Sequence, residues 1–213
     1  MKRGIYTEAQ AEDFLKAYIP VARHYLTKNY EEASIAAKKL GFPLVLKIIS
    51  PDAIHKSEIK GVRLIKNRHD FASEYHQLMK ISTQKKLKLD GILVQEYIEG
   101  EYVIIGLKKD PTFGHVLAFG IGGIYTELLK DVSFRICPIT EKDADAMLNE
   151  LKLIKLIEGY RNTKPVNKKF LKGILVKVSK IPSKFPDIQE MDINPFVIND
   201  KTGKVVDARM LID

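Results

Sequence analysis

Tryptophan is absent from this chain of 213 residues, and cysteine occurs once, as Cys137. A single thiol excludes an internal disulfide framework. Its setting in "FRICPIT" reads as strand, so Cys137 is expected to pack as a small hydrophobe rather than to react. Long apolar runs are missing too. The longest, Val116 to Tyr125, is broken by glycines and too short to cross a bilayer. The opening "MKRGIYTEAQ" has no apolar segment of the signal-peptide kind, so a cytoplasmic protein with no membrane association is expected. No internal repeat, low-complexity tract or long linker occurs. No glycine loop is followed by Lys-Ser/Thr, and no glycine fingerprint opens a βαβ unit, which excludes a Walker loop and a dinucleotide-binding half.

Charge, by contrast, is plentiful, with a formal net of +8. The lysines are scattered and no compact basic run is interleaved with stacking aromatics, so no nucleic-acid partner is expected. Attraction to small polyanions fits this balance, and so does a solvated surface of thermophilic type. With 45% hydrophobic residues the chain can bury a core, as one large domain or as two compact subdomains.

The local pattern is mixed helix and strand. "NYEEASIAAKKLG", Asn29 to Gly41, has an Asn cap, Glu32 at the capping-box position, an apolar stripe and a terminating glycine, so it predicts a short amphipathic helix. "FPLVLKII" follows as a buried strand, with "GVRLIK" as its hairpin partner. Phe71, Tyr75, Leu78 and Met79 recur at helical spacing. "GILVQEYIEGEYVIIGLKKD" holds two strand-like runs joined at Gly100, where one subdomain can hand over to another. Beyond it, "GHVLAFGIGGIYTELL" is a strand entering a glycine turn. Thr140 and Asp143 cap a helix striped by Ala144, Met147, Leu148 and Leu151, and Leu171, Ile174, Leu175 and Val178 mark another. "IQEMDINPFVI" and "KVVDARMLI" flank the turn formers of "NDKTGK" and read as a β-hairpin.

Several residues can carry chemistry. In "EMDINPF" the side chains of Glu190, Asp192 and Asn194 alternate with Met191 and Ile193, so a strand projects all three from one face. An even hairpin loop sets Asp207 opposite or nearly opposite Asn194, gathering the oxygen ligands that a hard ion such as Mg²⁺ prefers. A solvated acidic edge is the plainer alternative. Lys47, inside "LVLKII", either snorkels to water or delivers a positive charge onto phosphate oxygens. Glu96, at a strand exit, can accept hydrogen bonds from a sugar hydroxyl or an amine. Gly122 and Gly123 in "GIGGI" form either a tight structural turn or a place where backbone amides approach a phosphate. Arg135 is a candidate phosphate fork. In "SPDAIHKSEIKGVRL", His55 beside Lys56 and Lys60 is compatible with a surface residue, a metal ligand or a nucleophile.

Taken together, "AAKKLGFPLVLKI", "SPDAIHKS", "VQEYIEG", "FGIGGIYTELLKDVSFR" and the "EMDINPF" to "VVDAR" pair closely resemble the ATP-grasp nucleotide-binding β subunits of ADP-forming acetyl-CoA (acyl-CoA) synthetases, relatives of the succinyl-CoA synthetase β chain. The likeness covers roughly Tyr6 to Asp213. It implies an α+β ATP-grasp fold, two subdomains with antiparallel sheets clasping a nucleotide, expected at 1–98 and 99–213 with a hinge near 95–101. It also implies nucleotide contacts at Lys47 and Glu96, Mg²⁺ at Asn194 and Asp207 with Glu190 close by, and a phosphate-carrying histidine at His55; Gly122, Gly123 and Arg135 stand beside these as nucleotide-binding candidates on their own chemistry. The chain departs from the family at Lys60-Gly61, where a glycine pair is usual. The activity implied is interconversion of acyl-CoA, ADP and phosphate with free acid, CoA and ATP, shared with a separate CoA-binding α subunit in a hetero-oligomer. Two other readings stand beside it: a free-standing ATP-grasp carboxylate–amine ligase, against which His55 speaks, and a nucleotide-sensing or scaffolding subunit without turnover.

Overall fold

The structure is a computed structural model that describes residues 3–52, 56, 58–123, 131–159 and 164–213. Two compact units emerge, one of Ala22–Tyr97 and one that joins Met1–Val21 to Ile98–Asp213. Each has its own antiparallel sheet, as the ATP-grasp resemblance implies.

The smaller unit is a four-stranded sheet in the order β2-β5-β3-β4, built from β2 (His24–Thr27), β3 (Leu44–Ile49), β4 (Val62–Ile65) and β5 (Gly91–Glu96). Helices α2 (Tyr30–Leu40) and α3 (Arg68–Gln84) contribute the apolar stripes read from the sequence. Asn29 caps α2 by accepting the Glu32 N–H at 2.9 Å, and Gly41 ends it with a left-handed φ of 81° that favours glycine. Ala33, Ala36, Ala37, Phe71, Tyr75 and Leu78 close on Leu44, Leu46, Ile48, Ile65, Ile92 and Val94 in one buried cluster. Since strand side chains alternate, Lys47 projects from the opposite face of the sheet.

The larger unit is a seven-stranded sheet. Its path runs β1 (Gly4–Tyr6), β11 (Ala208–Ile212), β9 (Ile188–Ile198), β6 (Glu101–Asp110), β7 (Gly114–Ile121), β8 (Val132–Ile136), and β10 (Gly203–Val205) pairs with β9. One face carries α1 (Glu8–Leu15), α4 (Glu141–Glu150) and α5 (Lys168–Ser179), followed by the short α6 (Ile181–Lys184). Thr140 and Asp143 form the expected capping box at the start of α4. Leu117, Phe119, Met191 and Ile193 meet Met147, Leu171, Ile174 and Leu175 beneath these helices.

The division differs from 1–98 and 99–213 at its N-terminal end. β1 pairs antiparallel with β11, α1 buries Ala11 and Leu15 in the larger core, and Phe14 packs edge-on against Phe185 at 5.1 Å. Those contacts hold the first residues in the larger unit. No helix among the described residues is long and apolar enough to cross a membrane.

Candidate functional site

The open face of the larger sheet gathers polar side chains by register. Glu190, Asp192 and Asn194 point to solvent while Met191 and Ile193 point into the core, the alternation that the sequence predicts. Val205 pairs with Phe196 and Ala208 with Ile193, so the returning chain sets Asp207 directly against Asn194. The Asn194 N–H donates to the Asp207 carbonyl oxygen at 3.0 Å. Arg209 pairs in register with Asp192 on the same face. Glu190 faces Lys108 of β6, with Nζ 2.8 Å from Oε1.

Negative charge is crowded here. Although Asp192 is exposed on the open face, its carboxyl is held above the usual range, first because the neighbouring protein takes part of its water, then because Asp207 repels its charged form; Arg209 opposes this and Glu190 adds to it. Among the described residues no three His, Cys, Asp or Glu side chains are grouped to hold a metal unaided. Asn194 and Asp207 nevertheless fit Mg²⁺, which takes one or two protein oxygens and completes its shell with water and phosphate. The crowding is of the sign that a cation relieves. Beside this row lies a cavity of about 400 Å³ between Glu190, Asp192, Lys108 and the apolar Val116, Ala118 and Phe134.

Arg135 is not brought to this face. It pairs in register with Leu117, which is buried in the core, and so projects toward the helices. There it forms an ion pair with Glu150 of α4, with Nη1 donating to Oε2 at 3.1 Å. That bond, and less strongly the charge of Glu150, raises the guanidinium further above its ordinary range. Gly122 sits where β7 ends, and its N–H donates to the Tyr102 carbonyl at 2.6 Å. A Cβ on Gly122 would lie 2.9 Å from Tyr102 backbone atoms, so the glycine is needed for this close approach. Gly123 has a φ of 93° and open space around it. The rest of the glycine turn lies outside the described residues.

In the smaller unit, Lys47 lies between Val62 and Leu93 and is only 6% exposed, which argues against a side chain extended into bulk water. Glu96 ends β5, and both its oxygens accept from Arg23: Oε1 from the backbone N–H and Oε2 from Nε, each at 2.8 Å. His55 lies outside the described residues. Next to it, Lys56 is buried and its carbonyl accepts the Gly61 N–H at 2.7 Å. Lys60 adopts a left-handed φ of 56°. Burial pushes the Cys137 thiol up to about 11, with a weaker opposing hydrogen bond to the Leu117 backbone, as suits a packed residue.

Arg209 was missed by the sequence reading. The signal was present, because in "VDARM" it lies two residues beyond Asp207 and so shares its face.

The ATP-grasp domain family matches residues 1–212 of the chain. The chain is 40% identical over 210 residues to subunit beta of ADP-forming acetate–CoA ligase I from Pyrococcus furiosus, covering 96% of this chain and 90% of that one. It is 38% identical over 213 residues to ADP-forming acetate–CoA ligase I from Archaeoglobus fulgidus, covering 98% of this chain but 31% of that one, so it spans about a third of that relative's length. Among solved structures it is similar to acetyl-coenzyme A synthetase 1 of Ca. Korarchaeum cryptofilum in complex with coenzyme A, Ca-AMPCP and HgCl+, with a TM-score of 0.95, 38% identity, and coverage of 99% of this chain and 94% of that one. The same enzyme with coenzyme A and Mg-AMPPCP, its phosphohistidine segment pointing towards the nucleotide binding site, matches with a TM-score of 0.87, 38% identity and the same coverages of 99% and 94%.

Proposed function

Since the chain belongs to the ATP-grasp domain family, and within it to the β subunits of ADP-forming acetate–CoA ligases, we propose that it works as the nucleotide-binding half of an acyl-CoA synthetase. The complete enzyme interconverts acyl-CoA, ADP and phosphate with free acid, CoA and ATP. The acyl chemistry is assigned to a separate CoA-binding α subunit: the relative named subunit beta is matched over 90% of its length, whereas ADP-forming acetate–CoA ligase I of Archaeoglobus fulgidus is matched over only 31%. The assembly is a hetero-oligomer, and its water-soluble substrates suit the cytoplasm.

The observation that carries this reading is the register that sets Asp207 against Asn194 beside a row of acids. Asn194 and Asp207 would hold Mg²⁺, which offsets the charge of the nucleotide phosphates. Glu190 stands two residues beyond Asp192 on the same face and is held by Lys108, so its contribution is to the local field. Lys47 is assigned to the phosphates, as a charge delivered from a rigid strand. Glu96 is assigned to the adenosine, and Gly122 shapes the turn that leads Gly123 toward the phosphates. Arg135 braces the opposite, helix-covered face of the sheet through Glu150 rather than touching the nucleotide.

By likeness to the phosphohistidine enzyme of Ca. Korarchaeum cryptofilum, His55 is assigned as the phosphate carrier. In the direction of ATP synthesis, a terminal oxygen of ADP forms the new P–O bond while the P–N bond on His55 breaks. The imidazole nitrogen keeps the electron pair and takes up a proton. Most of the catalysis is positioning and charge neutralisation.

The test is labelling. With radiolabelled ATP and Mg²⁺, the assembled complex should place acid-labile, base-stable phosphate on this chain. The label should vanish in His55→Ala and fall at least about tenfold in Asp207→Asn, the loss expected when a charged metal ligand is neutralised. Full labelling of His55→Ala would contradict the carrier assignment.

A further inference from the structure

The geometry points to Arg209 as the residue that binds the terminal phosphoryl group of the nucleotide, next to the metal pair. This rests on the proposed function and deepens it. Arg23, Arg63 and Arg135 are each held by a glutamate, at Glu96, Glu74 and Glu150 respectively. Among the described residues no hydrogen bond or ion pair holds the Arg209 guanidinium, although Asp192 is its neighbour in register and feels its charge. Five N–H donors therefore remain for a ligand.

Placement decides which ligand. Arg209 lies on the open face two residues beyond Asp207, about 7 Å along the strand. Asp207 faces Asn194, so a phosphate drawn to a metal held by that pair would come within reach of an arginine side chain two residues along. The planar guanidinium matches two phosphate oxygens at once, which an ammonium cannot do. The acids around it reject a free anion and leave room for one whose charge a cation has already reduced. ADP lacks the group that Arg209 is placed to hold; ATP has it, and so does the phosphoryl in transit.

Calorimetry on the full chain with Mg²⁺ tests this, comparing ADP with the β,γ-methylene analogue of ATP. Arg209→Met should weaken the triphosphate analogue about 10- to 100-fold and ADP less than about threefold, the range for losing a charge-assisted hydrogen bond. Arg209→Lys should recover part of the loss, and thermal melting shows that both variants fold. If Arg209 merely neutralises Asp192, adding Asp192→Asn to Arg209→Met will restore triphosphate affinity; if it binds phosphoryl, the double variant stays weak. Equal weakening of both nucleotides, or none, overturns the assignment while the proposed function stands. A wild-type chain that binds neither nucleotide with Mg²⁺ overturns both.

Discussion

Lys47 is buried in the smaller unit and is the lysine we propose for the nucleotide phosphates. An ammonium enclosed between Val62 and Leu93 loses much of its hydration. Lys47→Met keeps the stem and removes the charge. It should weaken Mg²⁺-nucleotide binding about 10- to 100-fold, with thermal melting used to show that the variant folds. Equal affinity in calorimetry would remove Lys47 from the site. Asp192 gives a second test, through pH. Its native carboxyl binds a proton more readily than in the unfolded chain, so its stabilising share is fully present below the unfolded value of about 3.9 and is lost as pH rises through the raised native value. Asp192→Asn should therefore raise the melting temperature of the metal-free chain near neutral pH, with the gain shrinking as pH falls through that window. A gain that is the same at every pH would mean that the shift arises elsewhere.

At the scale of elements, local chemistry is what the sequence expresses most clearly. The caps at Asn29 and Thr140, the stripes of α2, α3, α4 and α5, and the alternation in β9 all follow from spacing of a few residues. Pairing across the chain has no such signature. β1 meets β11 at opposite ends of the sequence, so nothing near Gly4 announces that the first helix belongs with the last strand. The face of Arg135 was hidden for a related reason. Which way a β8 side chain points relative to Asn194 depends on the registers of β6 and β7 between them, and no local pattern fixes that. Gly122 was legible as a glycine required for close approach, but the group it approaches is Tyr102 backbone. Arg135→Met should accordingly cost at most about 1 kcal/mol of stability, the range for a partly exposed ion pair, and leave nucleotide affinity unchanged. A tenfold loss of affinity with normal melting would return Arg135 to the nucleotide.

For the whole molecule, the account divides labour between two chains. This one offers an ATP-grasp fold, an oxygen pair suited to a hard cation, and charged groups suited to phosphates, while the CoA chemistry is assigned to a partner. Formation of ATP from acyl-CoA, ADP and phosphate, measured for the purified chain with and without a CoA-binding α subunit, tests that division most directly. The chain alone should bind Mg²⁺-nucleotide and make no ATP, and addition of the α subunit should start acyl-CoA-dependent synthesis that His55→Ala abolishes. Sustained synthesis by the chain alone, or an unchanged rate in the His55→Ala complex, would contradict it.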